Sequence, residues 1–231
     1  MKLFSKFSKG LCFLQLVINF LKGGNKNLKK IFTDIYKNNG FRGSNSISGK
    51  GSDLIQTEIM RKEIPQVLRE LKIKIFLDAP CGDFYWMKET NLDNIKEYIG
   101  IDCVEEIIQI NNQKYKNTKR TFLCKDITKE KLPFAELVLC RDCLVHLSFL
   151  DAQKIIQNFK KAGIIYLLTT TFTERDKNKD LRARLWRPLN LERAPFYFPK
   201  PLKIINEECR ELNGNFTDKS LGLWKLDDIY F

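Results

Sequence analysis

The sequence predicts a doubly wound α/β fold on a mostly parallel seven-stranded sheet with helices on both faces. Three observations predict it. Short apolar runs of strand length alternate with amphipathic runs of helix length. Four of the strand-like runs end in an acid, at Asp78, Asp102, Asp126 and Asp142, with gaps of 24, 24 and 16 residues. The 231-residue chain is 43% hydrophobic, enough for one α/β domain with a small extension.

The elements follow in order. Residues 1–38 form an N-terminal helical extension. Leu3, Phe7, Leu11, Leu14, Ile18 and Leu21 recur at helical spacing, with Lys2, Lys6, Lys9 and Lys22 as a basic flank. The apolar stretch Leu11 to Leu21 is too short to span a bilayer. The segment that follows it, Lys22-Gly23-Gly24-Asn25-Lys26, is not a small-residue cleavage site, so a secretory signal is rejected. Such a helix can lie on an anionic inner membrane. The competing reading, a helix packed on its own domain or on a second subunit, stands ahead of it. Lys29 to Lys37 reads as a short second helix. Residues 39–72 then give a Gly/Ser-rich loop and an amphipathic helix over Asp53 to Leu71, bent near Pro65.

The core spans residues 73–231. Strands are expected at Ile73 to Leu77, Tyr98 to Ile101, Thr121 to Cys124, Leu137 to Cys140 and Ile164 to Thr169. Helices are expected at Val104 to Tyr115 and Leu150 to Ala162. Residues 170–201 lack clear periodicity and carry Pro188, Pro195, Pro199 and Pro201, so they read as a substrate loop. Lys203 to Leu212 reads as a helix, and Leu221 to Leu226 with Ile229 to Phe231 as a closing antiparallel hairpin.

Net charge is +12. A basic surface suits anionic partners, such as sugar phosphates or an acidic membrane, or is simply a lysine-rich solvated surface. The lysines are scattered and no arginine stripe with interleaved aromatics appears, so nucleic acid is not favoured. Seven cysteines, an odd count in a chain of this length, imply no disulfide framework and fit a reducing cytoplasm.

Ligands of open α/β sheets bind at the carboxyl ends of the strands. Asp102, ending the second strand, can accept both ribose hydroxyls of an adenosine, and Asp126 the adenine exocyclic amine. Gly82 lets backbone approach the ligand. The competing reading is that acids after strands are helix caps. A pyrophosphate wants a glycine-rich turn opening into a helix N-terminus. Here Asp83 and the bulky Phe84-Tyr85-Trp86 stand in that place. Added negative charge and aromatic faces suit a cationic sulfonium better than a diphosphate.

The segment Phe76-Leu77-Asp78-Ala79-Pro80-Cys81-Gly82-Asp83-Phe84-Tyr85-Trp86-Met87 resembles motif I, of the DAPCGD type, of a bacterial class I S-adenosylmethionine (SAM) methyltransferase group. That group is associated with capsule and surface-polysaccharide biosynthesis. Ser46 to Asp53 with Thr57 and Arg61, Arg141 to Leu147, and Arg187 to Leu191 are similar to further signatures of it. The resemblance runs from about Gly40 to the C-terminus. Of the general motif's three glycines only Gly82 is present, with Pro80 and Phe84 in the other two places. The resemblance implies a Rossmann-like methyltransferase fold, SAM as cofactor, and O-methylation of a sugar or phosphorylated sugar. It implies cofactor contacts from Ser52, Thr57, Arg61, Asp78, Ala79, Pro80, Gly82, Asp102, Cys103, Asp126, Ile127 and Arg141. Arg61 would pair with the cofactor carboxylate.

His146 is the sole histidine in the chain and follows the fourth strand, near Asp142. It is the candidate general base, with Asp142 orienting it or the acceptor. Trp86, Arg187 and Asn190 are candidate acceptor contacts, and Arg182, Arg184 and Arg193 could help grip a phosphate or acidic sugar. No metal is expected: Cys140, Cys143 and His146 have metal-binding types, but no second Cys pair follows at zinc spacing. Two other function classes remain. One is an NAD(P)-dependent sugar oxidoreductase or epimerase. The other is a non-catalytic basic membrane- or polymer-binding protein on the same fold.

Overall fold

Runs of β-branched and aromatic residues that bury both faces build a parallel sheet here. The computed structural model describes residues 27–181 and 186–231, so the expected helix over residues 1–22, with Arg182 and Arg184, lies outside the described residues. Seven strands form one sheet: β1 Ile75–Asp78, β2 Glu97–Asp102, β3 Arg120–Cys124, β4 Leu137–Cys140, β5 Tyr166–Phe172, β6 Lys203–Asn206 and β7 Lys219–Lys225. Their order is β3-β2-β1-β4-β5-β7-β6. β1 to β5 pair in parallel, and β7 runs antiparallel between β5 and β6.

Four helices are described: α1 Leu28–Lys37, α2 Glu58–Glu70, α3 Glu105–Tyr115 and α4 Phe149–Lys161. The two-residue period of the strands sorts their side chains between two cores. Leu77, Ile99, Val138 and Leu167 join Leu28 of α1 and Ile155, Ile156 and Phe159 of α4 on one face. Phe76, Tyr98, Leu137 and Leu168 join Ile64, Val67 and Leu68 of α2 and Ile108 of α3 on the other. Asn27 and Ser148 accept hydrogen bonds from Lys30 N and Asp151 N, each at 3.1 Å, which caps α1 and α4.

Two expectations are corrected. Lys203 to Leu212 does not open as a helix. The alternation Lys203-Ile204-Ile205-Asn206 buries Ile205 and pairs with β7, and Asn206 then accepts from Glu208 N at 2.7 Å in a turn that stops the strand. Ile229 to Phe231 forms no strand. Ile229 N bonds Leu226 O in a turn, and Lys160 of α4 donates to Ile229 O at 2.7 Å. α2 also starts later than expected, at Glu58, with Thr57 as its N-cap (φ −104°, ψ 7°) and the residues before it in turns.

The segment 173–202 is folded down over much of its length. Leu189, Leu191, Phe196 and Phe198 are buried in the core shared with α4. No helix among the described residues is long and apolar enough to cross a membrane.

Candidate active site

A cavity of about 660 Å³ opens at the carboxyl ends of the parallel strands, within the range of small-molecule sites. Asp78 of β1, Asp102 of β2, Asp126 after β3 and Asp142 after β4 all line it, so the topology gathers acids that lie far apart in sequence. Phe32 and Tyr36 of α1 and Phe41 beyond it also line it.

Asp78 is buried and accepts from Tyr98 Oη at 2.7 Å. Burial pushes its carboxyl up to about 7. The Tyr98 bond opposes this, and the charge of Asp102 adds to it. Asp102 accepts from Val104 N at 2.9 Å and Gly82 N at 3.2 Å. Burial raises it to about 6 against those backbone bonds. Asp126 is different. Burial pushes its carboxyl up, but bonds from Thr128 and the Lys129 ammonium at 3.2 Å leave it below the usual range.

The turn after β1 is fixed from several sides. Gly82 has φ +53°, the left-handed region, and a Cβ there would meet Ser48 Oγ at 2.2 Å. Asn111 donates to Gly82 O at 2.8 Å. Asp83 accepts from Ser46 Oγ at 2.9 Å and Ile47 N at 3.0 Å. Its charge is therefore engaged in tying the 46–48 loop to the turn. Phe84 is a core residue, packed on Tyr98, Tyr115 and Phe122. The aromatic face expected next to a ligand comes from Trp86, which lines the cavity with the Arg141 guanidinium 5.6 Å from its ring centroid.

At the β4 end stands a buried ionic network. Arg141 donates to Glu207 at 3.2 and 2.8 Å and to Gly51 O at 2.9 Å, and lies 3.3 Å from Asp142. Lys219 of β7 donates to Asp142 at 2.7 Å and lies 3.3 Å from Glu207. Two cations face Asp142 and Glu207, and the Glu211 carboxylate also acts on Arg141. Burial pushes the Asp142 carboxyl up, but Lys219 and Arg141 outweigh it and hold the group well below the usual range. Removing one partner of such a network leaves a buried charge uncompensated. Lys219→Met is expected to cost about 3–5 kcal/mol, which for a chain of this size lowers Tm by about 10 °C. Lys219→Met/Glu207→Gln should recover part of the loss. A calorimetric shift of only one or two degrees would refute this account.

His146 ends the single turn Leu144–His146 after β4 and faces the cavity, with Phe41 at 5.1 Å between ring centroids. Arg187 builds that turn. Its guanidinium donates to Leu144 O and Leu147 O, and its amide to Val145 O.

The sequence-predicted residues thus divide. Ser52, Asp78, Pro80, Gly82, Trp86, Cys103, Asp102, Asp126, Ile127, Arg141, Asp142 and His146 come together around one cavity. Ala79, Thr57, Arg61, Arg187 and Asn190 are not among its lining residues. Ala79 is buried beneath the cis peptide to Pro80. Arg61 donates to Leu54 O at 2.9 Å and braces the turn before α2, while its Nε is buried without a hydrogen-bond partner among the described residues. Asn190 donates to Thr173 O and Arg175 O, holding the loop after β5. Arg187 and Asn190 therefore offer no phosphate grip inside the cavity.

Lys219, Glu207, Glu211, Phe172, Trp186 and Phe216 were missed. One signal was available. Lys219 and Glu207 are charged residues flanking otherwise apolar strand runs, where an inward charge needs a partner.

No family model matches the chain, and no curated protein matches its sequence. Solved structures do. An N-methyltransferase NodS from Bradyrhizobium japonicum WM9, in complex with S-adenosylhomocysteine (SAH), is 15% identical over 72% of this chain and 87% of that one, with TM-score 0.50. The methyltransferase domain of a bacterial CtHen1-CN is 9% identical over 74% and 99%, with TM-score 0.52. Human N-acetylserotonin methyltransferase, in complex with SAM, is 14% identical over 93% of this chain and 66% of its own length, with TM-score 0.53. At these identities the likeness establishes the fold: a Rossmann-like methyltransferase fold with a seven-stranded, mostly parallel sheet.

Proposed function

We propose that the protein is a SAM-dependent methyltransferase that O-methylates a sugar hydroxyl, in the cytoplasm, during the making of a surface polysaccharide. The observation that carries the cofactor reading is the convergence of Asp78, Asp102 and Asp126 on one cavity of about 660 Å³. The sugar rests on the motif resemblance alone. The residues fit a cationic donor. Asp78 and Asp102 are buried, the charge of Asp102 raises the proton affinity of Asp78 and that of Asp83 raises Asp102, so a positive ligand relieves the repulsion and a diphosphate worsens it. The turn after β1 leads only to the single turn Met87–Glu89, so no long helix N-terminus waits there for a pyrophosphate. That counts against the nicotinamide oxidoreductase.

When bound, SAM supplies an electrophilic methyl group on a sulfonium. Asp102 would hold the ribose hydroxyls, Asp126 and Ile127 the adenine edge, and Asp78 the charged methionine end. His146 would take the proton of the acceptor hydroxyl, and Asp142 would orient it. The apolar lining from Phe32, Tyr36 and Phe41 excludes water that would compete as acceptor. In thermal unfolding, saturating SAM and SAH should each raise Tm by several degrees while NAD leaves it unchanged. Protection by NAD alone would remove the reading.

Asp78 gives a pH test. Its proton affinity is higher folded than unfolded, so it contributes stability below about pH 4, and that contribution is lost as pH rises through about 7. Asp78→Asn keeps an acceptor for Tyr98 and removes the ionisable group. The expected outcome is a higher Tm than wild type at pH 8, no gain at pH 4, and weaker SAM binding at pH 8. Equal Tm values at pH 8 would contradict it.

A further inference from the structure

The strand order divides the cavity. Asp126 after β3, Asp102 of β2 and Asp78 of β1 stand on one side, with Asp142 and His146 after β4 in the middle. On the β5–β7 side stand three aromatic rings. Trp186 and Phe216 centroids are 4.9 Å apart, and Phe172 lies 5.8 Å from each, all edge to face. Phe172 sits opposite Lys219 in the β5–β7 register, so this aromatic wall adjoins the network that holds Asp142. Glu211 lines the same cavity, and its Oε1 is buried with no hydrogen-bond partner among the described residues. A Cβ on Gly51 would stand 3.2 Å from Asp142 Oδ2, 3.5 Å from Glu211 Oε1 and 3.8 Å from Lys219 Nζ, so the orphaned oxygen converges on the same point as the network.

A buried acceptor without a donor is costly and calls for one from a ligand. Aromatic faces take the apolar face of a ring, or a cation, and give an anion nothing. Arg175, the cation over Phe216 at 5.6 Å, is itself held by Asp218 at 2.6 Å. We propose that Phe172, Trp186, Phe216 and Glu211 form the acceptor subsite, and that it takes a non-anionic ring presenting a hydroxyl or ammonium donor to Glu211. This rests on the methyltransferase reading. It assigns the acceptor end of the cavity, where the Glu211 carboxylate disfavours an anion.

The test uses the full chain saturated with SAH, whose binding is measured separately by calorimetry. Tryptophan fluorescence is titrated with methyl glucopyranoside, methyl 2-amino-2-deoxyglucopyranoside and glucose 6-phosphate. Trp186→Phe identifies the reporting residue. The expected result is quenching by the neutral and amino sugars, with the phosphate about tenfold weaker. Glu211→Gln should weaken the amino sugar by about tenfold and strengthen the phosphate. Equal binding of the phosphate, an unchanged rank order in Glu211→Gln, or no quenching by the neutral and amino sugars in a protein that binds SAH overturns the subsite. Failure of SAH itself to bind overturns the cofactor reading instead.

Discussion

Replacing His146 with alanine lowers kcat for methyl transfer by about 100-fold or more and leaves SAH binding unchanged. A positioned general base contributes about 10²–10⁴ in rate, and His146 faces the cavity beside Asp142 on a turn built by Arg187. The measurement follows the mass gain of one methyl group on a sugar acceptor, with calorimetry of SAH in parallel. Unchanged turnover would end the assignment of His146 and leave the cofactor reading intact.

The second large effect is on the cofactor side. Asp102→Ala weakens SAH binding by about 100-fold. The carboxylate is positioned by Val104 N and Gly82 N, and two ligand hydroxyls each bonded to a charged acceptor contribute about 1.5–3 kcal/mol. Wild-type binding should itself weaken below about pH 6, where Asp102 takes up its proton. Asp102→Asn should lose that pH dependence. A variant that binds within a few-fold of wild type would place the ribose elsewhere.

The parallel core was legible because its strands carry apolar runs that end in acids in phase with them. Asp78, Asp102, Asp126 and Asp142 were found that way, and the structure gathers them around one cavity. The C-terminal third was less legible. Lys203 to Asn206 is too short to separate a strand from a helix by period, and its partner β7 decides it. Arg61, Arg187 and Asn190 carry the residue types of ligand contacts, yet each is engaged by backbone carbonyls in its own neighbourhood. Side-chain chemistry alone does not say whether an arginine meets a ligand or a loop. Trp186 and Phe216 escaped notice because the aromatic wall exists only once β5 and β7 lie side by side.

That placement has a consequence for how the molecule is made. A ribosome delivers β7 after every other strand of the sheet, and Lys219 emerges 77 positions behind the Asp142 it neutralises. Until then the nascent chain holds Asp142 and Glu207 with Arg141 as their sole counter-ion in the network, and β5 presents an unpaired edge. A message cut short before β7 is therefore expected to yield a sticky fragment fit for proteolysis.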